Sequence, residues 1–164
     1  MEREKLLNIV APCSMLCYTC MGCKDGAIAT CAKKLYNYNK GVCEFRGQHM
    51  SEDERKEWHS FFNQFQETLY NFSLSECPGC RNFPADVNPF GGCIIHKCTL
   101  EHGVDFCADC SDFPCDKPND FFDEKLLQVW ENGNRIIQEI GAEAYFEEKK
   151  DTSHYSHYVE SEKE

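Results

Sequence analysis

The chain has no long apolar run and no excess of basic residues, and both absences exclude classes of function. No stretch approaches the ~18 consecutive apolar residues that span a membrane, and the first residues, Met1–Lys5, do not resemble an export signal. Lys and Arg total 17 and Asp and Glu total 28, so the formal net charge is −11. A chain this negative repels phosphate backbones. We expect a cytoplasmic protein that binds neither membranes nor nucleic acid.

The sequence also lacks the short motifs that identify common catalytic sites. It contains no glycine-rich phosphate loop, no His-Glu-x-x-His and no nucleophile elbow. Whether the protein is an enzyme therefore stays open, and the favoured interpretation is that it is not.

Cysteine is the residue in excess, with 13 copies in 164 residues. The cysteines form a first set within residues 13–43 and a second set within residues 77–115. A cytoplasmic chain keeps its thiols reduced, and an odd number of cysteines cannot all pair within one chain. Metal binding is therefore favoured over disulfides.

The second set has the spacing of zinc ligands, because zinc takes four soft ligands that usually come as closely spaced pairs. The sequence pairs Cys77 with Cys80 around a Pro-Gly turn, and it pairs Cys107 with Cys110. One possible set of four is Cys77, Cys80, Cys93 and Cys98. The other would join Cys107, Cys110 and Cys115 to a cysteine of the first set. A crossed arrangement fits the spacing equally well.

The first set is compatible with more than one metal. Cys13-x3-Cys17-x2-Cys20 has the spacing of the cluster loop of radical S-adenosylmethionine enzymes, but the chain is too short for their barrel. Cys17, Cys20 and Cys23 match three positions of a ferredoxin run, and Cys31 comes too late to be the fourth. Zinc is the favoured metal, and an iron–sulfur cluster is the alternative.

Charged and imidazole side chains lie among the cysteines of the second set. Either His96 or His102 could replace a thiolate, but a surface imidazole or a donor to the ligands is the favoured interpretation for both. We expect the cationic side chains nearby to offset the negative charge of the thiolates; these are Arg81, Lys97 and Lys117.

The segment 51–72 has the pattern of an amphipathic helix. Ser51 and Glu54 predict a capping box at its start. Apolar side chains then recur at helical spacing, and we expect this stripe to face a core: Trp58, Phe61, Phe62, Phe65, Leu69 and Phe72.

Residues 119–150 are predicted to form further helices, with Asn119 as the N-cap and a break near Gly133. The polar tail 151–164 is expected to fray, and His154 and His157 within it are expected not to bind metal. The cysteine-bearing stretches are predicted as loops and tight turns, including a turn at 88–92. We thus expect a single α+β domain over residues 1–150, mainly helical, with irregular loops held by metal.

The segment from Cys93 to Lys117 resembles the domain of unknown function 3795 family of bacterial and archaeal cysteine-rich proteins. That family pairs a Cys-Gly-x-x-x-Cys-x-x-Cys-like opening with a Cys-x-Gly-Cys knuckle, and then runs Cys-x-Ile-Arg-x-Cys-Ala, a Lys-Gly turn, Cys-x-x-Cys and Phe-Pro-Cys. The resemblance implies a metal-bound fold and no established activity. The cysteines that match, and that we predict to bind metal, are Cys13, Cys17, Cys20, Cys77, Cys80, Cys93, Cys98, Cys107, Cys110 and Cys115.

The chain departs from this pattern at several positions. Ser14 stands where the family has glycine, His96 where it has arginine, and His102 where it has lysine. Three cysteines are additional and imply either a third site or free thiols: Cys23, Cys31 and Cys43.

Three functions are compatible with these observations. The favoured one is a structural zinc-binding protein that acts through protein–protein contacts with a partner that the sequence does not identify. The second is an iron–sulfur or thiol-dependent redox protein or enzyme that uses a cluster or one of the additional cysteines. The third is a metal sensor or storage protein with readily exchanged ions.

Overall fold

The computed structural model describes residues 1–83, 93–153 and 155–159. The turn predicted at 88–92 and His154 lie outside these residues. The α-helices of the described residues are α1 (Arg3–Ile9), α2 (Ala27–Tyr38), α3 (Val42–Gly47), α4 (Glu52–Ser73), α5 (Ile94–His102), α6 (Glu124–Ile140) and α7 (Ala142–Lys149). One-turn 3₁₀ helices lie at Cys17–Thr19, Cys80–Asn82, Cys107–Asp109, Lys117–Asp120 and Ser156–Tyr158. Among the described helices, none has the length and apolar character needed to cross a membrane.

The α+β class is wrong, because the described ranges contain no β-strand, and the mainly helical part of the prediction is confirmed. An isolated antiparallel bridge joins Val10 and Leu16 across a tight turn. At two cysteine pairs the backbone hydrogen bond closes a single 3₁₀ turn, from Cys20 N–H to the carbonyl oxygen of Cys17 and from Cys110 N–H to that of Cys107. Groups bonded within a turn are not available to pair two β-strands. Cysteines also occur within α2, α3 and α5, so the prediction that all cysteine-bearing stretches are loops and turns is wrong there.

The internal contacts of the chain divide it into two compact units. The cysteine unit consists of Met1–Cys20 and Cys77–Glu164, and the helical unit consists of Met21–Glu76. The single domain that we expected from the length of the chain stays a prediction.

The helical unit is built on the packing of α2 against α4. α4 begins at the predicted capping box: Glu54 N–H donates to Ser51 Oγ, and Ser51 N–H donates to the Glu54 carboxylate at 2.9 Å. Phe62 and Leu69 are buried, whereas Phe61 keeps 63% of its surface exposed. The stripe that packs in the core is therefore narrower than predicted, and part of its aromatic surface faces solvent.

The cysteine unit has an apolar core that continues into the cysteine segments. Four residues of α6 at helical spacing, Trp130, Gly133, Asn134 and Ile137, are buried. The core consists of Val10, Leu16, Phe106, Ala108, Ile137, Tyr145 and Phe146. Leu16 and Phe106 each directly precede a Cys-x2-Cys pair, so packing of the core fixes where those pairs lie.

Both predicted boundaries of α6 are wrong. The helix is capped by Asp123, whose carboxylate accepts the N–H of Leu126 at 2.8 Å, while Asn119 lies in the preceding 3₁₀ helix. α6 continues through Gly133 and stops at Gly141, where φ is 82°. Helix propensity predicts a break at Gly133, but tertiary packing overrides it because this position faces the buried Ser14.

We expect Gly133→Ala to lower the free energy of unfolding by ~2 kcal/mol, as typical of overpacked cores. A Cβ added at Gly133 would lie 2.8 Å from Ser14 Cβ, closer still to Ser14 Oγ, and 3.0 Å from Tyr145 Oη. Urea denaturation measures the loss. The second variant, Ser14→Gly with Gly133→Ala, removes the two closest contacts and should recover most of it. Additive losses in the double variant would contradict this packing.

Candidate metal centres

The cysteines that match the family pattern all lie in the cysteine unit, and the three additional ones lie in the helical unit. None of the cysteines forms a disulfide. Cys23 and Cys43 are buried and Cys31 is exposed. We divide the thiols of the cysteine unit into two neighbouring groups, which interact through Cys13 and Cys107 and which we name by their size.

The four-cysteine group consists of Cys98, Cys107, Cys110 and Cys115. The thiol of Cys107 interacts electrostatically with the other three, and all four line one small pocket with Trp130. Of the arrangements that the spacing left open, the structure therefore brings Cys98 to Cys107, Cys110 and Cys115 rather than to the Cys77–Cys80 pair.

Asn134 of α6 fixes the Cys107–Cys110 turn. The turn closes when Cys110 N–H donates to the carbonyl oxygen of Cys107 at 3.0 Å. The N–H of Ala108, inside the turn, donates to Asn134 Oδ1 at 2.9 Å, and Asn134 Nδ2 donates to the carbonyl oxygen of Trp130 at 2.8 Å. Asn134 is completely buried. Sequence analysis missed this residue, although a polar residue on the apolar stripe of an amphipathic helix is a usable signal.

The surroundings of the four-cysteine group supply donors to sulfur. Lys117 Nζ donates to Cys98 Sγ at 3.3 Å. Burial raises the pKa of the Cys107 thiol to about 11, and the indole N–H of Trp130 opposes this by favouring the thiolate. That N–H is buried and makes no hydrogen bond among the described residues, but it lies near enough to the sulfur of Cys107 to favour its anionic form. The group is thus suited to hold anionic sulfur once a cation is present.

The two histidines have different environments. His102 lies beside the four-cysteine group, with Nδ1 2.9 Å from the carbonyl oxygen of Cys98 and Nε2 3.5 Å from the Asp112 carboxylate. Ligand atoms of His102, Cys110 and Asp112 lie within 4.8 Å of one another. His96 is buried and its Nδ1 has no hydrogen-bond partner, so the surface position expected for it is wrong. Burial and the charge of Arg81 lower the pKa of His96.

The six-cysteine group contains the remaining family cysteines, which are Cys13, Cys17, Cys20, Cys77, Cys80 and Cys93. The thiols of Cys17 and Cys80 interact with each other, which lowers the pKa of Cys17 and raises that of Cys80. The thiol of Cys77 interacts with Cys17 and Cys20. The thiol of Cys13 interacts with Cys93, with Cys107 of the four-cysteine group and with Cys17, and that of Cys80 interacts with Cys13 and Cys93. The six sulfurs are therefore connected to one another, and Cys13 also connects them to the four-cysteine group.

Tight turns present these thiols. Cys13 lies in the turn between Val10 and Leu16, which is closed by Ala11 N–H donating to the carbonyl oxygen of Met15 at 2.8 Å. Ser14 in this turn has a φ of 70°, a conformation that glycine adopts without strain, and this explains the glycine of the family pattern. In the Cys77–Cys80 turn, the predicted knuckle has Gly79 at a φ of 98°.

Backbone N–H groups and the guanidinium of Arg81 lie beside sulfurs of the six-cysteine group and favour their anionic form. Burial raises the pKa of the Cys13 and Cys77 thiols, and the neighbouring backbone N–H groups of Met15 and Gly79 oppose this by favouring the thiolates. The interaction with the Cys80 thiol, more than the charge of Arg81, lowers the pKa of Cys17 to about 7. Of the cations expected to offset the thiolates, Arg81 and Lys117 do interact with them, while Lys97 pairs with Glu101 at 4.0 Å.

Arg81 is held in place from three directions. Its Nε donates to the carbonyl oxygen of Leu7 at 3.0 Å, and Nη2 donates to the carbonyl oxygen of Asp105 at 2.5 Å. The guanidinium also lies 4.9 Å from the ring centroid of Phe106. These contacts fix the cation beside the six-cysteine group.

The polar tail also reaches this group. Tyr155 Oη donates to Cys20 Sγ at 3.5 Å, and Ser156–Tyr158 form a 3₁₀ turn. The tail therefore contains a short ordered element among its described residues, and its expected fraying stays a prediction. The ring of His157 lies against that of Tyr158, with ring centroids 4.3 Å apart and ring planes tilted by 43°.

Taken together, the fold and the site define a mainly helical, cysteine-rich protein with two thiol groups in one unit. Residues 9–120 match the family model described as "Protein of unknown function (DUF3795)". The match covers more than half of the chain, which therefore belongs to this family, and the resemblance is confirmed. No curated protein and no solved structure matches the chain.

Proposed function

We propose that this protein is a structural zinc-binding protein that acts through protein–protein contacts. The observation that carries the proposal is the clustering of ten thiols without disulfides in one unit, with the Lys117 ammonium donating to Cys98 and the Tyr155 hydroxyl donating to Cys20. Such donors are typical of the surroundings of metal-bound thiolates, whose negative charge they partly neutralise.

The four-cysteine group is the part of the molecule that fits zinc most simply. It offers four sulfurs, the number that a structural zinc ion takes in tetrahedral geometry. Four thiolates complete the coordination of zinc and leave no position for a substrate, which favours a structural over a catalytic role. His102 and Asp112 at the edge of this group would then act as neighbours of the ligands rather than as ligands.

The contact surface is proposed to include the exposed aromatic side chains of the helical unit. Tyr38, Phe45 and Phe61 expose 80%, 68% and 63% of their surfaces. Large exposed apolar side chains are common at protein contact sites when they form a patch. The chain carries a net charge of −11, so a partner with basic residues around an apolar surface would be complementary.

An iron–sulfur protein is the second candidate, and the six-cysteine group is the observation that favours it, because iron–sulfur clusters are also held by cysteine thiolates. Elemental analysis and a visible spectrum of the anaerobically purified protein separate the two. We expect zinc in a whole-number ratio and no colour. Iron with sulfide and a broad visible band would overturn the zinc proposal, and low, variable metal content would favour a sensor or storage protein.

A further inference from the structure

His102 and Asp112 are neighbours, not ligands, of a zinc ion held by the four thiolates of the four-cysteine group. Their side chains nevertheless come together with one of its thiols, because ligand atoms of His102, Cys110 and Asp112 lie within 4.8 Å of one another. Nitrogen, oxygen and sulfur are the three kinds of ligand atom that zinc takes in proteins. The three side chains therefore offer zinc a mixed set of ligands at the edge of the group.

The end of α5 and a tight turn bring these side chains together. His102 is the last residue of α5. Asp112 lies two residues after Cys110, in a turn closed by Phe113 N–H donating to the carbonyl oxygen of Cys110 at 3.2 Å. Ser111 Oγ donates to Asp112 Oδ1 at 3.3 Å, which leaves Oδ2 as the oxygen that faces His102. Short-range structure thus places both side chains.

The imidazole of His102 has one nitrogen in use and one available. Nδ1 lies 2.9 Å from the carbonyl oxygen of Cys98 and 3.7 Å from its sulfur. A carbonyl oxygen only accepts hydrogen bonds, so Nδ1 carries the proton and Nε2 of the neutral ring carries a lone pair. Histidines that bind metal are commonly fixed in this way, with the other ring nitrogen donating to a carbonyl oxygen or a carboxylate.

The available nitrogen faces a carboxylate at a separation that fits two ligands of one zinc ion. Nε2 of His102 lies 3.5 Å from Asp112 Oδ2, which is longer than the ~2.7–3.2 Å of a hydrogen bond from N–H to oxygen. A nitrogen and an oxygen bound to one tetrahedral zinc ion at ~2.1 Å each lie ~3.4 Å apart. A cation bound by both atoms would also remove the repulsion between the lone pair and the carboxylate.

We propose that His102 Nε2, Asp112 and Cys110 bind a second, exchangeable zinc ion beside the one held by the four-cysteine group. Cys110 is common to both sites, since a thiolate sulfur keeps lone pairs after it has bound one ion. Three protein ligands leave one position of the tetrahedron to water, as in open zinc sites. The side chains of His102 and Asp112 keep 30% and 65% of their surfaces exposed, so the ion can exchange with solvent. This inference rests on the proposed zinc-binding function.

The charge of the site also favours a second cation. A zinc ion with four thiolates carries −2. Asp112 adds one negative charge, and the ammonium of Lys117, which donates to Cys98 at 3.3 Å, offsets it. The edge of the group therefore keeps a charge that one further zinc ion neutralises. His102 stands where the family pattern has lysine, so a ligand for an exchangeable cation here replaces a fixed one.

Equilibrium dialysis of the full-length protein against zinc tests the proposal. Protein that is loaded with zinc and then desalted keeps its structural ions, and we expect it to bind one additional zinc ion per chain from solution. Retained zinc with no additional ion would overturn this inference and leave the proposed function standing. Iron, or no retained metal, would overturn both, so the two failures are distinguishable.

Single variants locate the additional ion. His102→Gln and Asp112→Asn should each weaken its binding at least tenfold, since even changes in the surroundings of ligands cost ~10–100-fold, and the zinc retained after desalting should be unchanged. Two controls should bind the additional ion as the unmodified chain does. Glu101→Gln removes a neighbouring negative charge, and His49→Gln removes an exposed imidazole of the helical unit.

Two results with these variants would contradict the site. Equal weakening by Asp112→Asn and Glu101→Gln would show a general effect of charge instead of a ligand. Loss of retained zinc in His102→Gln would make His102 a ligand of the structural ion, and the second ion would then have no site of its own.

A measurement on the unmodified chain covers the case in which a variant fails to fold. The chain contains six histidines. When zinc is added to the desalted, zinc-loaded protein, NMR should show a change in the ring nitrogens of His102 alone, with Nε2 shifting more than Nδ1. A shift centred on another histidine, or none at all, would overturn the site.

Discussion

Removal of metal with a chelator should unfold the cysteine unit while α2 and α4 of the helical unit stay folded. Structural zinc contributes directly to folding, with apparent binding free energies of ~10–16 kcal/mol in zinc-finger peptides. In the cysteine unit, short turns present the thiols of both groups, and the proposed metal ions would hold their sulfurs together. In the helical unit, buried Phe62 and Leu69 of α4 pack without any proposed metal.

Hydrogen exchange followed by mass spectrometry measures this difference. The amides of Cys20 and Cys110, which close their turns at 3.0 Å, should exchange at least a hundredfold faster without metal. That change equals ~2.8 kcal/mol of lost protection, at 1.4 kcal/mol per factor of ten. The internal control is α4, whose amides should change little. Equal loss in both units, or none in the cysteine unit, would contradict the assignment of metal to one unit.

The second large effect is a loss of both stability and bound metal, which we expect for Cys107→Ser. The thiol of Cys107 interacts with all three other members of the four-cysteine group, so its replacement should release that ion. Loss of a structural metal belongs to the mutations that destabilise by more than ~4 kcal/mol. Urea denaturation of the zinc-loaded protein, combined with its metal content, measures both losses.

Cys31→Ser is the matched control because Cys31 is exposed on α2, in the helical unit. An exposed substitution of this kind should change the free energy of unfolding by no more than ~0.5 kcal/mol. Zinc content should be that of the unmodified chain. If both variants lost stability and zinc to a similar extent, the effect of Cys107→Ser could not be assigned to the four-cysteine group.

The sequence predicts the fold best where the signal is local. The capping box of Ser51 and Glu54 uses residues three apart, and it is confirmed. The break predicted at Gly133 is wrong because the reason for that glycine is Ser14, far away in the chain. The α+β class is wrong for a related reason, since turn signals around cysteines do not say whether the segments between them pair as strands.

The sequence predicts which cysteines are candidate ligands, and it predicts less well which of them the fold brings together. The spacing indicates thiols in metal-binding pairs, but only the fold brings Cys98 to Cys107. No sequence motif predicts the contacts that Asn134, Trp130 and Tyr155 make with cysteine segments far from them in the chain. The glycine expected at position 14 is explained by a backbone angle that only the structure gives.

One hydrogen bond links the two thiol groups through the backbone. Cys107 N–H, in the four-cysteine group, donates at 3.0 Å to the carbonyl oxygen of Pro12, the residue before Cys13 of the six-cysteine group. An ion that orders either turn also positions one partner of this bond, which lowers the entropy lost when the second turn becomes ordered. Loading is therefore expected to be cooperative, so that at substoichiometric zinc the population divides into empty and filled chains, with few intermediates.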